Sequence, residues 1–87
     1  MKFEYDQAKF GSNRMKHGID FDQARDLWLD ERALIVPART ELEPRYALIA
    51  QSVGQVWTCI FTKRSDRIRI ISVRRSRDGE KEKYLNR

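Results

Sequence analysis

With 87 residues the chain has room for one small domain, whose core has to be a single sheet covered by helices. Its 18 basic residues outweigh 13 acidic ones, and the formal charge of +5 favours nucleic acid or an acidic partner as ligand. The same composition excludes an intrachain disulfide, since Cys59 is alone, and a bilayer-spanning helix, since no apolar run is long enough.

The elements follow in chain order. Phe3 and Tyr5 alternate with Lys2 and Glu4, which predicts a short first strand. Asp6 can cap a helix from Gln7 to Lys16, with Ala8, Phe10 and Met15 on its apolar side. Gly18 is placed to end that helix in a left-handed conformation, while the Gly11–Ser12 pair weakens its interior. Asp20 caps a second helix, Phe21 to Trp28, whose Phe21, Ala24, Leu27 and Trp28 make one apolar face. Ala33 to Val36 reads as a strand stopped by Pro37, followed by a polar loop over 38–44. Arg45 to Ala50 is a further strand, and Gly54–Gln55 makes the next turn.

The stretch Trp57 to Arg75 reads as a β-hairpin turning at Lys63 to Asp66. Cys59 falls among its apolar residues and is expected to be a small buried hydrophobe. A charged helix from Asp78 to Asn86 closes the chain, with Tyr84 and Leu85 as its apolar contacts. The expected fold is α+β in the order β-α-α-β-β-β-β-α, an antiparallel meander with its helices on one side. The chain reads as one domain over residues 1–87. The N-terminus MKFEYDQAK lacks the pattern of a secretion signal, so the expected location is the cytoplasm.

The chemistry is narrowed by what is missing. One histidine and one cysteine far apart do not suggest a metal site, and there is no phosphate-cradling glycine loop. No metal or cofactor is expected. What stands out is a run of arginines: Arg64, Arg67, Arg69, Arg74, Arg75 and Arg77, with Asp66 the one acid among them before Asp78. The guanidinium fork matches a phosphate's oxygens, so the run points to a polyanion. Arginines on a strand also solvate it or block edge pairing, and their stems cover apolar surface. By alternation Arg67, Arg69 and Arg75 share a face and Arg74 takes the other, unless the Ile70–Ile71 doublet marks a bulge. His17, beside Lys16 at a helix end, can exchange a proton near neutral pH, or can equally bond backbone carbonyls. Tyr84 reads as a core or capping aromatic, with base stacking or proton transfer as the sharper alternative.

Several of these residues recur together in one family. Phe3-Glu4-Tyr5-Asp6, Lys9, Asn13, Lys16-His17-Gly18, Phe21 and Ala24, with Arg67-Ile68-Arg69-Ile70-Ile71-Ser72-Val73-Arg74, Glu80 and Tyr84, resemble the BrnT family of toxins. The match runs in order over nearly the whole chain. Tyr5 stands where tryptophan is usual, and Ser76 to Gly79 replace the usual small residue and basic stretch. The resemblance implies a RelE-like ribonuclease toxin of a type II toxin–antitoxin pair. It also implies a BrnA-like antitoxin with a ribbon-helix-helix region, and operator DNA bound only through the joint complex.

A metal-free nuclease would use the RNA 2′-hydroxyl as nucleophile and leave a 2′,3′-cyclic phosphate and a 5′-hydroxyl. The expected catalytic set is His17 and Lys16 for proton transfer, with Tyr84 third, and Arg64 and Arg74 for charge stabilisation. Arg67, Arg69, Arg75 and Arg77 are the expected RNA-binding residues. Two other readings compete: a basic module that binds nucleic acid without cutting it, and an inactive toxin that serves as an antitoxin-bound co-repressor. The antitoxin is expected to reach the basic groove with acidic segments.

Overall fold

A computed structural model describes residues 2–39 and 42–87. The side chain of Phe10, and the part of the expected loop at positions 40 and 41, lie outside the described residues. Along the chain come β1 (Lys2–Tyr5), α1 (Gln7–His17), α2 (Phe21–Ala24), a 3-10 helix (Arg25–Leu29), β2 (Leu34–Pro37), β3 (Tyr46–Ser52), β4 (Gln55–Arg64), β5 (Arg67–Arg75) and α3 (Asp78–Leu85).

The caps read from the sequence explain where the helices begin. The Asp6 carboxylate accepts the Ala8 N–H at 2.9 Å, and Gly18 ends α1 at φ 78° with its N–H on the Arg14 carbonyl. Asp20 and Gln23 bond each other's backbone N–H groups reciprocally, a capping box at the start of α2. After Ala24 the backbone tightens to 3-10 geometry, which keeps the buried pair Ala24 and Leu27, three apart, on one line.

The five strands form one sheet in the order β1-β5-β4-β3-β2. The sheet is mixed, which corrects the antiparallel expectation. β2 to β5 form an antiparallel meander, but β1 lies parallel to β5, with Phe3 opposite Ile68 and Tyr5 opposite Ile70. Two helical segments separate β1 from the meander, so no hairpin constrains its direction. The β3–β4 turn falls on Val53 and Gly54, both at positive φ, one residue before the position expected. The β4–β5 turn is equally tight, at Ser65 and Asp66. Pro37 lies within β2 instead of beyond it, as an edge strand tolerates.

Phe21, Leu27, Leu48, Phe61, Ile70 and Val73 are buried between one face of the sheet and the helices over residues 7–29. Trp28 packs edge-on against both Phe3 and Phe61, with centroids 5.1 and 5.3 Å away, so it belongs to the core as expected. Met15 does not. It is 90% exposed, because Asn13 faces the sheet and residue 15 lies well round the helix from it. The helices do not share one side either: α3 packs on β3 from the opposite face, where Glu80 reaches Thr58.

β1 covers β5 only from Arg67 to Ile70. Beyond it, the Asn13 side chain takes the place of a strand. Its Nδ2 donates to the Val73 carbonyl at 3.0 Å and to the Ile19 carbonyl at 2.7 Å, while its Oδ1 accepts the Val73 N–H at 3.3 Å. Asn13→Ala strips buried backbone groups of their partners at about 1–3 kcal/mol each. The variant is expected to lose on the order of 3 kcal/mol in urea unfolding followed by tryptophan fluorescence.

Candidate nucleic-acid interface

Asn13 fixes more than stability, because its neighbours on α1 are carried with it. Lys9, Ser12, Asn13 and Lys16 fall at helical spacing on one stripe, and that stripe faces the uncovered edge of β5. There β5 bulges. Ser72 pairs with Ile60 and Ile70 with Phe61, so Ile71 is the extra residue. Between stripe and bulge lies a shallow depression of about 420 Å³. Lys9, Ser12, Asn13, Lys16 and the half-buried His17 line one side, and Ile71 and Ser72 the other. Arg14, Lys16 and His17 occupy the last turn of α1, where the helix dipole favours positive charge.

The bulge also decides which arginines stand together. It resets the alternation, so Arg67, Arg69 and Arg74 share the face of Thr62 and Thr58, and Arg75 turns to the face of Trp57. Arg64 joins the first group, directly opposite Arg67. Each of these four has a carboxylate of the chain itself within 4 Å. Arg64 contacts Glu43 at 3.2 Å, and Arg67 and Arg69 each approach Glu4 at 3.8 Å. Arg74 grips Glu80 with both terminal nitrogens, at 2.7 and 3.0 Å. By contrast Lys9, Lys16, His17, Arg75 and Arg77 have no ion pair among the described residues, and Arg75 and Arg77 are exposed.

Tyr84 stands apart from the depression. It is buried on α3, and its hydroxyl donates to Asp30, which also accepts the Arg32 and Gln51 N–H groups. Burial and that donated bond raise the phenol's pKa. Desolvation pushes the Asp30 carboxyl up, but the three bonds it accepts outweigh it and hold the pKa below the ordinary range. Cys59 is fully buried, and burial raises its thiol pKa, so it is a core residue as expected. Among the described residues no three His, Cys, Asp or Glu side chains gather where they could share a metal ion.

The structure thus places His17 and Lys16 at one depression and gathers Arg64, Arg67 and Arg69 at the hairpin end of β4 and β5, with Arg74 on the same face but at the far end of β5. It joins neither Tyr84 nor Arg75 to these groups. Sequence reasoning gave no site role to Lys9, Ser12 or Ser72. The signal was present in the period-3.6 spacing of Lys9, Ser12 and Lys16, while Ser72 needs the bulge to be located.

A family model described as the ribonuclease toxin, BrnT, of type II toxin–antitoxin systems matches residues 5–80. The chain belongs to the BrnT family. An RNA substrate and an antitoxin partner therefore come with membership. No curated protein matches the chain. Among the described residues of this BrnT chain, no helix is long and apolar enough to cross a membrane.

Glu80 ties α3 to the sheet. It accepts from Arg74, from Thr58 at 3.1 Å and from the Arg77 N–H at 2.8 Å. Desolvation works against its ionisation, but these bonds win and hold its pKa at about 2. A folded-state pKa below the unfolded value of about 4.3 stabilises the fold above that pH, and the gain is lost as pH falls towards the folded value. Glu80→Gln is expected to cost about 1–3 kcal/mol at neutral pH. The gap to wild type should close between roughly pH 4.5 and 2 in acid-dependent unfolding.

Proposed function

We propose that the chain is an endoribonuclease toxin that cuts RNA without a metal, in the cytoplasm, at the depression between α1 and the β5 bulge. The observation that carries this reading is the set of basic side chains there without an ion pair among the described residues, Lys9, Lys16 and His17, beside the hydroxyls of Ser12 and Ser72. The RNA 2′-hydroxyl attacks the adjacent phosphorus, and the bond to the 5′-oxygen breaks. Neutral His17 takes the 2′ proton. The Lys16 ammonium supplies a proton to the departing 5′-oxygen, and Lys9 balances charge on the non-bridging oxygens. The products are a 2′,3′-cyclic phosphate and a 5′-hydroxyl.

Arg69 and Arg74 face the same side of the sheet as Ser72 and extend the grip on the strand. Arg74 does so by exchanging Glu80 for phosphate, and exposed Arg75 and Arg77 add charge beyond the end of β5. We assign Tyr84 to holding α3 rather than to proton transfer. In this reading the mixed sheet is a RelE-like scaffold. A BrnA-like ribbon-helix-helix antitoxin neutralises the toxin, and the pair represses its own operon.

One observation favours a second reading, a module that binds RNA without cutting it. No hydrogen bond orients the His17 imidazole among the described residues. Incubation with a labelled single-stranded RNA in excess EDTA separates the two. Cleavage with cyclic-phosphate ends is expected, and His17→Ala should slow it by about a hundredfold or more while RNA binding persists. Equal cutting by the variant moves proton transfer to another residue. Salt-sensitive binding with no cutting by wild type gives the case to the module.

A further inference from the structure

At the hairpin end of the sheet three cations stand in one row across three strands. Arg64 is directly opposite Arg67, and Lys2 is opposite Arg67 on its other side. Arg69 lies one step further along the same face, opposite Glu4. Like charges paired across strands destabilise a sheet. Three acids of the chain relieve this row, and they do so loosely. Glu43 reaches Arg64 at 3.2 Å and Asp66 reaches Lys2 at 3.3 Å. Asp66 stands 3.7 Å from Arg67, and Glu4 stands 3.8 Å from both Arg67 and Arg69. Contacts of 3.7–3.8 Å are too long for hydrogen bonds, so the guanidinium donors of Arg67 and Arg69 are unfilled by these acids. Such exposed pairs contribute little and exchange readily, whereas a phosphodiester can fill a fork with two charge-assisted bonds.

We propose that Lys2, Arg64, Arg67 and Arg69 form an outlying phosphate-binding subsite for single-stranded RNA, with Glu4, Glu43 and Asp66 as built-in competitors for it. The subsite rests on the reading that RNA occupies the α1–β5 depression. Ser72 is five residues along β5 from Arg67, about 16 Å at roughly 3.3 Å per residue. A short oligonucleotide held in the depression therefore does not reach the row, and a longer one does.

The test uses fluorescein-labelled 2′-O-methyl oligouridylates, a trimer and a dodecamer, which cannot be cut by 2′-hydroxyl attack. Binding is read by anisotropy across a salt series. Glu4→Gln/Glu43→Gln should tighten the dodecamer about threefold or more and leave the trimer within about twofold, because only the longer probe competes with these acids. Arg64→Ala/Arg67→Ala should weaken the dodecamer and flatten its log–log salt slope by about 0.7 for each phosphate that is no longer neutralised. Asp26→Asn/Glu31→Gln changes net charge equally elsewhere and should leave both probes alone. A control variant that tightens the dodecamer as much overturns the subsite, since overall charge then explains the effect. So does an equal response of both lengths, or a wild type that binds neither. Failed cleavage of ordinary RNA with this length pattern intact overturns the nuclease reading and leaves the subsite standing.

Discussion

The arrangement depends on a mismatch of strand lengths. β1 has four residues and β5 nine, so the polar groups of β5 beyond Ile70 have no strand on their outer side. Those groups need partners where α1 crosses and shuts out water. Asn13 meets the need because a carboxamide carries the same donor and acceptor as a peptide group, and its second N–H reaches Ile19 in the segment after α1. A carboxylate at that position would face two carbonyls with no proton to offer. From this one constraint follow the height at which α1 sits, the stripe it shows to the bulge and the placement of His17 one turn on.

A second consequence concerns the two faces of the sheet. The helices over residues 7–29 cover the face that carries Phe61, Ile70 and Val73. On the other face, α3 is held at one end by Glu80 with Arg74 and at the other by Tyr84 with Asp30. Tyr84 is its one fully packed residue, so this short charged helix is positioned by polar contacts more than by apolar burial. It rests on β3, and the hairpin end of the face, with Arg64 and Arg67, stays exposed.

Much of this was legible in the sequence. Asp6, Gly18 and Asp20 mark helix ends through local bonds, and the alternation around Cys59 and Phe61 marks a strand through its two unlike faces. The Ile70–Ile71 doublet even announced the bulge that moves Arg74 across the sheet. What local pattern does not carry is partnership over distance. A four-residue strand gives no sign of which neighbour it will join, so the parallel pairing of β1 with β5 is not legible in the sequence. Hydrophobicity alone puts Met15 on the apolar side of α1, whereas in the fold the polar Asn13 faces inward and turns Met15 out.

The arginine run shows the same limit in electrostatic form. In sequence it is nearly free of acids, and it reads as an open polyanion site. In the fold, Glu4 arrives from β1 and Glu43 from the segment before β3, and both settle on it. The acids that would balance α1 go elsewhere: Asp6 and Asp20 are spent on helix caps, Asp30 on backbone N–H groups and Tyr84. The first turn of α1 contains no acid at all. Density of positive charge and availability of positive charge are therefore different maps of the molecule. The sequence run marks the first, and the pairing of side chains moves the second to the edge of β5, where the one histidine lies.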